Sequence, residues 1–287
     1  MADHPSFTIT GPHDFRLADH DPSLKPKIDK LAAQARTAAA VGSIAERQAM
    51  MMAADHWAVL VVFQGMDASG KDGTIDRVFS GVNPAGVIVT SFKAPSSIER
   101  AHDFLWRIHQ AVPPSGRLGV FNRSHYEDVL VPRIHADQIR LQHLPPELAT
   151  GEIWKHRLED IANFERMLTR QGVVVIKFLL NISREEQRAR LLSRLDVPDK
   201  MWKFEPTDLS ERGHWDRYMM AYEEAIRATA TLHAPWHIIP ADRKWFARMT
   251  VAEIVADRLE QLDLRLPQPD AQMRRAFGKA RTALEKD

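Results

Sequence analysis

The chain has 287 residues, no cysteine, and 39 Lys and Arg against 38 Asp and Glu, for a formal net charge of +1 at pH 7. Without cysteine there is no disulfide framework, thiolate zinc site, iron–sulfur cluster or cysteine nucleophile. At 44% hydrophobic residues the chain fills one large core or two small ones, and its balanced charge disfavours a generic coat on nucleic acid, which needs a clear basic excess.

The first sixteen residues lack a basic start followed by an apolar stretch, so no secretory signal is read and a cytoplasmic location is expected. The longest apolar runs, 59–63 and 173–180, fall far short of the roughly 20 residues of a bilayer helix, so no membrane partner is expected. Residues 24–53 are rich in Ala, Lys, Gln and Met, with Ile28, Leu31 and Ala32 at helical spacing, and predict a leading helix or helix pair. Short β-branched runs then alternate with helical patterns, at 57–63, 86–90, 117–121, 173–180 and 236–239. Near-continuous hydrophobic strands separated by helices indicate a parallel sheet covered on both faces. Ser96 and Glu99 form a capping box ahead of Ile98, Phe104, Leu105 and Ile108, which predicts a crossover helix; further helices follow Lys71, Ser183 and Asp242.

Residues 184–217 depart from this alternation. They are densely charged, broken by Pro198 and Pro206, and resume as a helix with Trp215, Met219, Tyr222 and Ile226 on one stripe. A solvated helix pair is one reading; a lid over the carboxyl ends of the strands is the other.

The sharpest motif is Gly65-Met66-Asp67-Ala68-Ser69-Gly70-Lys71-Asp72-Gly73, directly after the first strand and before a helix. Two glycines with four residues between them let backbone N–H groups curl around phosphate oxygens, the helix N-terminus adds positive potential, and Lys71 reaches the phosphates. Where most P-loops carry Ser or Thr after the lysine, this chain has Asp72, and Asp67 sits in the loop itself. Two carboxylates beside phosphates repel them unless divalent cations lie between. Asp67 is therefore expected to bind magnesium, directly or through water, while Asp72 either supports the metal or caps the helix. A second cluster, Asn122-Arg123-Ser124-His125-Tyr126-Glu127-Asp128, closes the third strand. Arg123 at a strand end can bridge phosphates, or can simply fix the loop by pairing with a glutamate. His125 beside a P-loop reads as a hydrogen-bonded structural residue, and Trp106 and Trp154 as core.

The strings GMDASGKDG, FNRSHYEDV, LLSRLDVPDKMWKF and PADRKWFARM, in this order over about 60–262, resemble the family-2 polyphosphate kinases. The resemblance implies an α/β P-loop kinase fold, with a five-stranded mainly parallel sheet flanked by helices and a helical lid. It implies transfer of a phosphoryl group between inorganic polyphosphate and adenine, or guanine, nucleotides, with magnesium or alternatively manganese as cofactor. Asp67, Lys71 and Arg123 then match the catalytic set, and Gly65, Ala68, Ser69, Gly70, Asp72 and Gly73 the phosphate loop. Arg188, Arg194, Lys200 and Lys203 match the basic residues along the polyphosphate channel. Many members end the third strand in a metal-binding Asp where this chain has Asn122; NRSHYE in place of DRSWYN resembles the subgroup acting on both AMP and ADP. Glu127 or Asp128 then takes over metal or acceptor contacts, with Asn122, Glu127, Asp128 and Arg133 as candidate nucleotide contacts and Asp67, Asn122 and Glu127 as candidate metal ligands.

The organisation expected is a helical extension over 1–56, a kinase domain over 57–265 with its lid near 184–217, and a tail over 266–287; the resemblance also implies a dimer or tetramer. Rival readings are an ATP-dependent nucleoside monophosphate kinase and a non-catalytic nucleotide or polyphosphate sensor. The charge total does not exclude a confined channel for a phosphate chain, because acids such as Asp67, Glu127, Glu185 and Glu186 cancel basic residues in sum but not locally.

Overall fold

The computed structural model describes residues 7–11 and 14–286. Its centre is one sheet of six strands, β1 (Thr8–Ile9), β2 (Ala58–Gln64), β3 (Val87–Ser91), β4 (Leu118–Asn122), β5 (Val173–Asn181) and β6 (Trp236–Pro240), in the order β1-β6-β5-β2-β4-β3. The last five are parallel and follow the five predicted runs to within one residue at either end. The sixth, β1, pairs antiparallel with β6 through Thr8 opposite His237. Two residues carry no periodicity, so the expected five strands fall one short.

Helices cover the sheet. Before β5 come α1 (Lys30–Ala54), α2 (Lys71–Phe79), α3 (Ser97–Arg100), α4 (Trp106–Ala111), α5 (Glu127–Ile134), α6 (Asp137–Arg140) and α7 (Ile153–Arg170). After it come α8 (Arg184–Asp196), α9 (Pro198–Met201), α10 (Thr207–Gly213), α11 (Trp215–Thr229), α12 (Lys244–Glu260) and α13 (Ala271–Leu284). The leading helix starts later than its composition suggests, because Pro26 disfavours helical backbone at Lys25; Asp29 caps it by accepting from the Ala32 amide. Ala33, Thr37, Ala40, Ile44, Gln48 and Met51 recur on one buried face of α1, which lies along α12.

The capping box at Ser96 and Glu99 is present, but its helix stops after four residues and a second begins at Trp106, which is half-buried like Trp154. Coverage on both faces holds for β2 and β5, every residue of which is buried. It fails at β3, the sheet edge, where Ile88 and Val89 are exposed.

Candidate functional site

All the site elements leave the carboxyl ends of the parallel strands, where the chain turns outward and ligands of α/β sheets bind. β2 lies between β5 and β4, so its following loop, 65–70, is flanked by the turn after β4 and by α8 after β5. Gly65 has φ +146°, and a Cβ there would stand 2.8 Å from the Leu180 carbonyl oxygen and 2.9 Å from Ser69 Oγ. Gly70 has φ +105° and starts α2. Those two positions require glycine. Ala68 adopts φ +61°, a strained loop conformation of the kind that clusters at binding sites.

Lys71 is the first residue of α2. Its buried Nζ donates to the carbonyls of Gly65 at 2.7 Å and Met66 at 3.3 Å, folding the side chain back along the loop. Burial, with Arg123 adding to it, pushes the amine down to about 8 against the opposing pull of Asp67, Glu127 and Asp72. Ser69 Oγ is buried with no hydrogen-bond partner among the described residues; a buried hydroxyl in a phosphate loop is satisfied by a phosphate oxygen.

Arg123, directly after β4, has φ +63°. Its guanidinium spans two carboxylates, Asp67 Oδ1 at 2.6 Å and Glu127 Oε2 at 3.1 Å, and Glu127 above all raises its already high pKa. The two sequence readings of Arg123 thus coincide: it fixes the loop by pairing with a glutamate, and it faces the P-loop. Asn122 Nδ2 donates to Asp72 Oδ1 at 2.6 Å, so Asp72 is tied across to β4.

These groups share one cleft of about 860 Å³ with residues of α8, α9 and α10 from the densely charged segment and with α12. Of the predicted channel residues, Arg194, Lys200 and Lys203 line it. Arg188 does not: it is exposed on the outer face of α8. It lies six positions before Arg194, an offset that on a 3.6-residue turn puts the two on different faces. Arg190 takes the inner position. It is buried and donates to four backbone carbonyls, those of Ala68, Ser69, Ala241 and Asp242, at 2.7 to 3.0 Å. Gln187, one turn earlier, donates to the Asp67 carbonyl at 3.0 Å. α8 is therefore fastened to the phosphate loop by two side chains that sequence reading missed. The stripe 187, 190, 191, 194 was the available signal.

Asp128 lines the cleft with its carboxylate committed elsewhere. It pairs with buried Arg107 at 2.8 Å, and Arg157 bonds its backbone oxygen at 2.8 Å; burial raises its pKa despite Arg107. Of the two candidates, Glu127 turns its carboxylate to Arg123 at the loop rim, while Asp128 turns its own to Arg107. Arg133 pairs with Glu224 and lies outside the cleft lining, because it points from α5 toward α11. Lys93, Arg100, Lys244 and Arg248 also line the cleft and were not singled out from sequence. Tyr222, expected on an apolar stripe, is buried beside Glu127, Arg123 and Asp67, and burial raises its phenol. His125 is buried on Glu165, as a structural histidine should be.

Among the described residues no three His, Asp or Glu side chains converge to hold an ion unaided. Asp67 and Glu127 are two hard oxygen donors on either side of one guanidinium. Magnesium takes one or two protein carboxylates and completes its shell with phosphates and water, so this donor set fits magnesium bound together with a phosphate chain.

The family description polyphosphate kinase 2 matches residues 27–267. The AMP/ADP-polyphosphate phosphotransferase of Meiothermus ruber is 50% identical over 223 residues, 78% of this chain and 79% of that one. The ADP-polyphosphate phosphotransferase of Rhodopseudomonas palustris is 42% identical over 86% of each chain. The crystal structure of polyphosphate kinase 2 from Arthrobacter aurescens TC1 superposes with a TM-score of 0.85 at 39% identity over 96% of both chains.

Proposed function

The chain belongs to the polyphosphate kinase 2 family and is an enzyme of phosphoryl transfer between polyphosphate and nucleotides; from that premise we propose that it acts on both AMP and ADP, with magnesium, through Asp67, Lys71, Arg123 and Glu127. The observation that carries this reading is the Arg123 guanidinium, held between Asp67 and Glu127 at the rim of the P-loop.

In the proposed reaction an oxygen of the acceptor's terminal phosphate attacks the end phosphorus of the chain, and the bond to the next phosphate breaks, leaving polyphosphate one unit shorter. The attacking phosphate is already largely ionised near pH 7, since its second pKa is about 6, so no general base is needed. What remains is positioning and neutralisation of charge. The loop N–H groups and Lys71 hold the phosphate to be transferred. Arg123 offers its fork to the charge that develops there. Asp67 and Glu127 would hold magnesium, which supplies further neutralisation between chain and acceptor when bound. Arg194, Lys200 and Lys203 hold the rest of the chain, and the lid keeps out the water that would waste the anhydride.

Purified protein with magnesium, long-chain polyphosphate and AMP is expected to form ADP and then ATP, and to lose both products on chelation of the metal. A protein that converts ADP but never AMP would overturn the acceptor assignment, and full activity in chelator would overturn the metal. AMP/ADP in the name of the Meiothermus ruber relative favours the double acceptor; ADP alone in that of the Rhodopseudomonas palustris relative is the competing outcome.

A further inference from the structure

β5 carries Lys177 in its middle, flanked on both sides by apolar residues and fully buried, and its ammonium meets the equally buried carboxylate of Glu165 on α7. A buried ion pair gains little stability over well-packed apolar residues of similar volume, so stability alone does not explain this one. Its surroundings do. Glu165 also accepts from His125 Nε2 at 3.2 Å and from the Tyr126 hydroxyl at 2.8 Å. Lys177 donates to that hydroxyl at 3.2 Å and to the Thr229 carbonyl at 2.8 Å. Burial opposes ionisation of Glu165, but Lys177 and His125 outweigh it and hold the carboxyl below its usual range.

His125 and Tyr126 are consecutive residues of the turn between Arg123 and Glu127. Their side chains go inward to Glu165 while those of Arg123 and Glu127 go outward to Asp67 and to one another. Arg123 sits at φ +63°, a conformation that persists only where the surroundings impose it. No side chain caps α5 at Tyr126. Further ties on the turn include the Arg123 amide to the Phe63 carbonyl, 3.1 Å, Gln64 Nε2 to Ser124 Oγ, 3.1 Å, the Tyr126 and Glu127 amides to Ser124, and the Tyr126 hydroxyl to Thr229 Oγ1, 2.8 Å. Thr229 ends α11, whose Tyr222 stands beside Arg123 and Glu127.

We propose that Glu165 and Lys177 are positioning residues for phosphoryl transfer, clamping the 123–127 turn and the end of α11 so that Arg123 and Glu127 face the P-loop. The inference rests on the assignment of Arg123 and Glu127 to the reaction centre, and its test separates the two. Removing both charges together, Glu165→Met with Lys177→Met, leaves no uncompensated buried ion. The double variant is expected to melt within a few degrees of the parent and to keep its KM for polyphosphate and AMP. Its kcat should fall about 100-fold, the scale of a displacement of about 1 Å at a reacting group. Tyr126→Phe, which removes one hydroxyl and keeps the ion pair, should lower kcat by about tenfold with KM again unmoved. A folded double variant with parental kcat overturns the proposal; if the double variant does not fold, parental kcat in Tyr126→Phe overturns it. Arg123→Ala is measured beside them: parental activity there would overturn the reaction-centre assignment itself, whereas its loss alongside an unaffected double variant overturns only the clamp.

Discussion

Lys71 has an amine that burial holds near pKa 8, and a phosphate oxygen beside it favours the charged form. The sign follows from linkage. Below pH 8 the amine is already protonated and binding leaves it so; above pH 8 it must take up a proton as phosphate binds, and affinity falls by up to about tenfold per pH unit. Titrating polyphosphate without divalent metal at pH 8.5, in two buffers of different ionisation enthalpy, is expected to show proton uptake that Lys71→Met abolishes. Gly65 makes a different demand. Its φ of +146° and the 2.8 Å approach of the Leu180 carbonyl oxygen leave no room for a methyl group, so Gly65→Ala should cost more than about 1 kcal/mol in urea unfolding. Both residues were legible in the sequence because strand, glycine spacing and lysine together define a P-loop. The inward use of Asp128 was not: its partner Arg107 lies 21 residues away, and no local pattern encodes that meeting.

For the charged segment after β5 the legible part was the element and the illegible part its rotation. Charge density and two prolines announced a helical insertion, and Ser183 caps α8 by accepting from the Glu186 amide at 3.1 Å. Which arginines face the cleft depends on the angle of α8 about its own axis, and only the stripe from Gln187 to Arg194 reports that. Arg190 and Arg188 should accordingly behave as opposites. Arg190→Met strips the donors from buried carbonyls of the phosphate loop and of the β6 end, at about 1–3 kcal/mol for each group left unsatisfied, and thermal melting should show a clear loss. Arg190→Lys should not rescue it, because an ammonium cannot reproduce the planar fork. Arg188→Ala should leave both melting temperature and KM for polyphosphate unchanged.

At the scale of the whole molecule, the parallel sheet was readable because strands buried on both faces appear as unbroken apolar runs. The antiparallel β1 was not, since Thr8 and Ile9 owe their conformation entirely to pairing with β6. The net charge of +1 was the least informative quantity, because function depends on where charges sit. α12 brings Lys244 and Arg248 to the cleft beside Arg194, Lys200 and Lys203. Burial and the neighbouring Arg190, Lys200 and Arg248 all lower the pKa of Lys244. Cations that repel one another across a cleft store an attraction for a long polyanion. That attraction is local and partly exposed, and is therefore screened within roughly 10 Å at 0.1 M salt. The kcat/KM for long-chain polyphosphate should fall steeply with added potassium chloride while that for AMP falls little. Lys200→Ala with Lys203→Ala should flatten the polyphosphate dependence without changing the melting temperature, since both side chains are exposed. Equal salt slopes for the two substrates would mean that the cleft cations serve the fold rather than the chain.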